Sequence, residues 1–235
     1  MFPGRNRLLL ILILLGTNWW LAAAPAANWY RVRSGEGVDV YQRHDHGTDL
    51  VWLRAETRVM APQATLLALL MDQEHLSQWV SGYREVKVLQ QEGVESFLVY
   101  VRIDAPFFLL DRDAVIASTV SWQDSVLRVG NRLDRRRYRS RPDTVPMMTL
   151  SGCWEAIAGS DSAVVIRYQG FADPAADPAW MINEFARDSL FQTFINLRRE
   201  MQLPCYREAG RQLETRYRSQ LQARPIPDAC PVAED

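Results

Sequence analysis

The stretch "DPAADPAWMINEF", Asp173 to Phe185, puts two Asp-Pro pairs directly ahead of an apolar run that holds a tryptophan. Pro174 and Pro178 end any strand arriving from the N-terminal side, because proline has no amide to give to a ladder. Asp177-Pro178 then reads as a helix start. Proline suits the first helical turn, and an aspartate oxygen can accept from the orphan amides there. Downstream, Ile182, Ala186, Leu190, Phe194, Leu197 and Met201 recur at steps of four, four, four, three and four. That spacing predicts a single helix with one apolar stripe about twenty residues long. Glu184, Arg187, Asp188, Gln192 and Arg199 take the opposite side, and Pro204 reads as the helix end.

Working back from this helix, the chain is mostly strands. Val38–Tyr41 and Val51–Val59 read as two strands joined by a polar loop. In the second, Val51, Leu53, Ala55, Thr57 and Val59 alternate with Trp52, Arg54, Glu56 and Arg58, which gives the strand an inner and an outer face. Gln63–Asp72 reads as a short helix with Leu66, Leu67, Leu69 and Leu70, and a helical turn with Trp79 follows. Glu85–Leu89, Ser96–Ile103, Ala114–Trp122, Val126–Leu133, Met147–Ala158 and Ala163–Phe171 are further strands. The short turns "QEG", "QD" and "GSD" make neighbours antiparallel hairpins. A twisted antiparallel sheet with one wet face must cover the other, and only the terminal helix is long enough to do so. The fold class is therefore α+β. The abrupt helix start lets the chain leave the last strand and turn back across the curved sheet.

With 235 residues, 48% apolar and 23% charged, the chain can build one generous core, and its net charge of −1 gives no reason to expect nucleic acid. Residues 1–27 differ from the rest. Arg5 and Arg7 precede the apolar run Leu8–Leu15, and Ala22-Ala23-Ala24 follows. That order is the order of a secretory signal, with cleavage between Ala24 and Ala27. An uncleaved membrane anchor over Leu8–Ala27 is the alternative. The division is then 1–27 signal, 28–208 folded domain and 209–235 polar extension, in which one further helix could reach Arg224. Export leads to a periplasmic or extracellular site, where Cys205 and Cys230 could be bridged and Cys153 would be a buried thiol.

The plan and several motifs resemble the START family of steroidogenic-acute-regulatory-protein-related lipid transfer domains. "GVDVYQR" (Gly37–Arg43) is similar to the family's first strand, and Asp72 and Trp79 follow the first internal helix as they do there. "APFFLLDRDAV" (Ala105–Val115) is similar to its Pro-aromatic…Arg-Asp segment, "GCWEA" (Gly152–Ala156) to its Gly-x-Trp strand, and "DPAWMINEF" to the entry of its last helix. The resemblance covers roughly Trp29 to Tyr206. Ala stands where members usually have Gly in "FADPAADPAW", and the tail beyond Gly210 has no counterpart. The resemblance implies a helix-grip fold, a curved sheet wrapped around the long C-terminal helix, with a mostly apolar tunnel for one lipid or sterol-like molecule. It implies binding or transfer without chemistry.

Inward strand positions then become candidate tunnel walls: Val86, Val88, Ile116, Val120, Val164, Ile166 and Tyr168. Ile182, Leu190, Phe194 and Leu197 would close the tunnel from the helix. The same positions read equally as ordinary core, and pattern alone does not separate the two. Alternation places Arg112 on the face of Ala114, Ile116, Ser118 and Val120. Inside, it would need Asp104, Asp111 or an anionic headgroup as partner; at the rim it would pair with Asp113 or Asp111. Arg132, Arg135, Arg136, Arg137, Arg139 and Arg141 crowd one loop that resembles the family's gating loop, where they could dock on an anionic membrane surface. His44, His46 and His75 give no third ligand for a metal. Neither Gly-x-Ser-x-Gly, His-Glu-x-x-His nor a phosphate-binding glycine loop occurs. The expectation is a monomeric carrier of one hydrophobic molecule with no catalytic residue, metal or cofactor. A cyclase- or hydrolase-like enzyme of a related fold, or an interaction module with a filled core, is the alternative.

Overall fold

The structure is a computed structural model that describes residues 28–105, 109–139, 141–159 and 162–230. Residues 1–27, where a signal or anchor is expected, residues 106–108 of the "APFFLLDRDAV" motif and part of the "GSD" turn lie outside the described residues.

Ten strands form one sheet: β1 Tyr30–Gly35, β2 Val38–His44, β3 Val51–Val59, β4 Tyr83–Glu92, β5 Ser96–Ile103, β6 Arg112–Gln123, β7 Val126–Leu133, β8 Val145–Pro146, β9 Thr149–Ala158 and β10 Val164–Asp173. The order is β1-β2-β3-β10-β9-β7-β6-β5-β4, and every pair on this path is antiparallel. β8 is the exception, pairing parallel to the start of β6. Among the described residues there are also four helices: α1 Thr65–Met71, α2 Leu76–Trp79, α3 Ala179–Glu200 and α4 Pro204–Gln222. β10 lies between β3 and β9, so the end of the sheet path delivers the chain to the middle of the sheet. From there α3 crosses back against β2 and β3. This is the helix-grip fold.

The alternation in β3 holds at every position: Val51, Leu53, Ala55, Thr57 and Val59 are buried, and the residues between them are not. The start of α3 departs from expectation. Pro178 is the N-cap residue, in extended backbone, and no side chain caps the helix, so Asp177 does not supply the oxygen. Asp173 accepts from the Ala175 amide at 2.8 Å instead, tightening the turn ahead of the helix. Pro204 opens α4 at its first turn rather than closing α3. α4 packs on α1 and runs unbroken through position 209, where the extension was expected to begin.

The core lies under the second half of α3. Phe194, Leu197 and Met201 are fully buried there against Leu66, Leu67 and Ile166. Trp154 stacks on Phe194 with centroids 5.6 Å apart and meets Trp79 edge-on at 6.1 Å. Such aromatic contacts contribute about 0.5–1.5 kcal/mol each beyond area burial. The first half of α3 meets no such packing.

Candidate functional site

Between the first half of α3 and the facing strand ends is a cavity of about 240 Å³. Ile182, Phe185, Ala186 and Leu190 of α3 form one wall. Leu53, Ile103, Met147 and Leu150 come from the sheet side. The apolar stripe of α3 therefore serves two purposes: its N-terminal half faces a hollow and its C-terminal half fills the core. Ala105, Leu109, Pro174 and Ala176, all partly exposed, also line it.

Tyr168 of β10 separates the hollow from the core. Its ring centroid is 4.7 Å from Trp154, and its hydroxyl lies over Gly152 and Gly170. A Cβ on either glycine would come within 2.4–2.5 Å of that oxygen, so only glycine leaves space for the ring against the sheet. Tyr83, from the edge strand β4, also reaches the cavity. Burial pushes its phenol up to about 12, because the phenolate would lose its hydration there. The Tyr168 phenol is pushed up for the same reason, with a further contribution from Tyr83, which places the two groups near one another. Both side chains retain some accessible surface, and both line the cavity.

Arg112 lines the cavity and is 6% exposed. Its Nε donates to Pro174 O at 2.8 Å, Nη2 to Ala175 O at 3.3 Å, and Nη1 to Leu110 O. Neither expected ion pair forms. Asp104 pairs with Arg84 at 2.5 Å, and Asp111 with Arg102 at 2.7 Å. Asp113 points to the opposite face, where it accepts from Tyr138 at 2.8 Å and Tyr100 at 3.1 Å. Burial lowers the Arg112 guanidinium, and nearby Asp111 partly opposes this. By bonding Leu110, Pro174 and Ala175 at once, Arg112 ties the residues just before β6 to the turn that follows β10. Asn183 fixes α3 to β3 by accepting from the Val51 amide at 3.2 Å and donating to Asp49 O at 2.9 Å.

Of the twelve expected wall residues, Arg112, Tyr168, Ile182 and Leu190 line the cavity. Val120, Val164, Ile166, Phe194 and Leu197 are core, and Ile116 belongs to a smaller cluster with Val99, Val101 and Met147. They face inward as expected but lie past the tyrosine floor or beside it. Val86 packs between both clusters. Val88 is 49% exposed, since a register shift between Val88 and Gln90 breaks the alternation on this edge strand. Sequence reasoning missed Tyr83, Ile103, Met147 and Ser189. A tyrosine at the start of an edge strand was the one available signal.

The arginine loop lies against the outer face of β5 and β6. Tyr138 packs there on Leu98, Tyr100 and Val115, while Arg141 sits 4.0 Å over the Tyr100 ring and 3.6 Å from Glu85. Arg132 pairs with Asp228 at 3.0 Å, Arg137 lies 3.9 Å from Asp134, and Arg135 donates to Met148 O. Arg139 bonds carbonyls of its own loop, and Arg136 is exposed. None of the six lines the cavity; among the described residues of this segment Met147, beyond β8, reaches it. Among the described residues no three His, Cys, Asp or Glu side chains converge as metal ligands would.

The disulfide differs from expectation. Cys153 is bonded to Cys230, and Cys205 is free and exposed on α4. Because Trp154 faces the core, its neighbour Cys153 faces outward. The tail after α4 folds back over β7 and β9, where Gly130, the register partner of Cys153, gives Pro227 room.

Comparison with known proteins agrees with this geometry. The START domain family model matches residues 20–207. An uncharacterized protein of Pseudomonas aeruginosa is 27% identical over 177 residues, covering 74% of this chain and 87% of that protein. A STAR-related lipid transfer protein from Xanthomonas axonopodis superposes with a TM-score of 0.69 at 24% identity, over 74% of this chain and 99% of that one. Human STARD10 superposes with a TM-score of 0.67 at 18% identity, over 85% and 83%.

Proposed function

Since the chain belongs to the START-domain family, we propose that it takes one hydrophobic molecule into the cavity under the first half of α3 and carries it without changing it. The half-used helix stripe carries this reading: Ile182 and Ala186 line a hollow, and Leu190 lies between it and the core, where a purely structural helix would meet side chains throughout. Membrane lipid tails are already out of water, so extraction needs an interior about as apolar as a bilayer, and this lining is mostly aliphatic and aromatic. Among the described residues neither histidine nor glutamate lines the cavity, and Asp104 is paired with Arg84, which favours carriage over catalysis.

Exchange would take place at a lipid surface reached by the apolar rim. Leu110 and Met148 are 54% and 45% exposed and adjoin the lining residues Leu109 and Met147, and Trp180, 71% exposed, stands two residues before the lining residue Ile182. The arginine loop adjoins this rim, where Arg135 bonds Met148 O, so its charges would add contact with an anionic surface beside the apolar one. The Cys153–Cys230 bond supports export, because such bonds persist in oxidising compartments and are reduced in most cytosols. Native mass spectrometry of purified protein tests the reading. One small hydrophobic molecule per chain, lost on organic extraction and regained on incubation with vesicles, is the expected result. A chain that never acquires such a mass overturns it.

A further inference from the structure

From sequence, Arg112 has Asp104, Asp111, Asp113 or an anionic headgroup as its possible partners. The structure commits all three aspartates elsewhere. Asp104 is held by Arg84 at 2.5 Å, and Asp111 by Arg102 at 2.7 Å with Arg84 at 3.4 Å beside it. Asp113 accepts from Tyr100 and Tyr138 on the other face of the sheet. Among the described residues no carboxylate forms an ion pair with Arg112, although Asp111 is near enough for its charge to be felt. Of the four, the headgroup is left.

The bonds that Arg112 does make fix its position without neutralising it. Leu110 O, Pro174 O and Ala175 O are neutral dipoles, so they solvate the guanidinium while its full charge persists. That charge is 6% exposed and lines a cavity whose other walls are mostly aliphatic and aromatic. A cation so placed is costly until an anion joins it. It also has donors in hand. Nη1 and Nη2 each make one of these bonds, and each carries a second N–H. A carboxylate or phosphate presents oxygens in the arrangement that a guanidinium can take in pairs.

The surroundings give the guest a direction. Arg112 bonds Leu110, which is 54% exposed, and the turn after β10, so the cation stands at the accessible side of the hollow. From that turn the lining continues back along β10 through Gly170 to Tyr168, with Leu53, Ile182 and Ala186 beside it. Resting on the carriage reading above, we infer that the carried molecule is an anionic amphiphile whose carboxylate or phosphate group pairs with Arg112 while its apolar part lies against Leu53, Ile182 and Ala186. The chain as a whole has a net charge of −1 and offers anions no general attraction, so a preference for them is local to this residue.

Purified protein freed of carried lipid is titrated calorimetrically at pH 8 with 1-nonanol, nonanoate and nonyl phosphate, which share one chain, and with inorganic phosphate. At least one of the two anionic amphiphiles is expected to bind at one per chain and at least tenfold more tightly than nonanol. Tighter nonanoate marks a fatty acid as the source of the charge, and tighter nonyl phosphate marks a phospholipid. In Arg112→Gln the ratio of anion to nonanol affinity should fall to near one, whatever happens to each affinity separately. The inference is overturned, with carriage left standing, if nonanol binds the wild-type chain as tightly as both anions do. It is also overturned if a folded Arg112→Gln chain keeps the wild-type ratio; should that variant not fold, the wild-type comparison still decides. Inorganic phosphate that binds as tightly as nonyl phosphate overturns it too, since the site would then hold a free anion. If none of the four probes associates, carriage itself fails.

Discussion

Ala186→Phe places a ring in the hollow from the middle of its helical wall. The substitution adds six carbons, about 180 Å³ at the water-sized scale, to a cavity of about 240 Å³. Three quarters of the room is gone. At about 0.8 kcal/mol per buried methylene, a ligand filling the cavity gains about 6 kcal/mol from burial, of which about 5 kcal/mol is blocked. Even if rearrangement at the open rim recovers half, about 2.5 kcal/mol is lost, which is more than a tenfold drop in affinity. Stability responds differently. Burial of the ring contributes about 1.5–3 kcal/mol, and strain of about 1–3 kcal/mol opposes it. Urea denaturation should therefore show a change within about 1 kcal/mol, while calorimetric titration with nonanol shows binding nearly abolished. A folded Ala186→Phe chain that binds as the wild type does would place the ligand somewhere else. A variant destabilised by several kcal/mol would mean that the space is not free to be filled.

Two other outcomes follow from the same geometry. Cys153 and Cys230 are separated by 77 residues, and closing a loop of that length restricts the unfolded chain by about 4.5 kcal/mol. Reduction, or Cys230→Ser, should lower the urea midpoint accordingly, and an unchanged midpoint would mean that the tail contributes nothing to the fold. Tyr83 holds its proton to about 12 in the native state, against about 10 in the unfolded chain. Between those values the unfolded chain binds fewer protons, so stability is full below pH 10 and falls by about 2.7 kcal/mol as pH rises to 12. Thermal melts across that range should fall more steeply for the wild type than for Tyr83→Phe, and parallel curves would remove Tyr83 as the cause.

The sequence was informative where a pattern is local and repetitive. β3 alternates at all nine positions, and the α3 stripe repeats over six apolar residues, so both elements and their buried faces could be read directly. β1, "YRVRSG", offers no such alternation; it exists because β2 presents an edge for it to pair with. The twelve expected wall residues show the limit more sharply. Period two says which face Val120 and Tyr168 occupy, and both do face inward. Whether an inward residue meets a helix side chain or empty space depends on its place along α3, which the strand pattern does not contain. The disulfide escaped for a similar reason. Trp154 facing the core makes Cys153 face outward, and that was inferable. The return of the tail over Gly130 is a long-range event with no local signal.

The distribution of packing bears on why the hollow persists. An unfilled apolar cavity costs about 24 cal/mol per Å³, so 240 Å³ represents up to about 6 kcal/mol. A domain is stable by only about 5–15 kcal/mol in all, so a void of that size is a heavy load on a resting fold. The aromatic block of Trp79, Trp154 and Phe194 confines the void to one end of the grip, where an opening also lets water relieve part of the penalty. The Cys153–Cys230 bond, at about 4.5 kcal/mol, acts on the opposite face of the sheet and offsets most of the remainder without occupying the interior. A guest present at a hundred times its dissociation constant adds about 2.7 kcal/mol more. If the chain carries a guest as proposed, the loaded form is the stable one, and binding a guest relieves the load the hollow puts on the empty form.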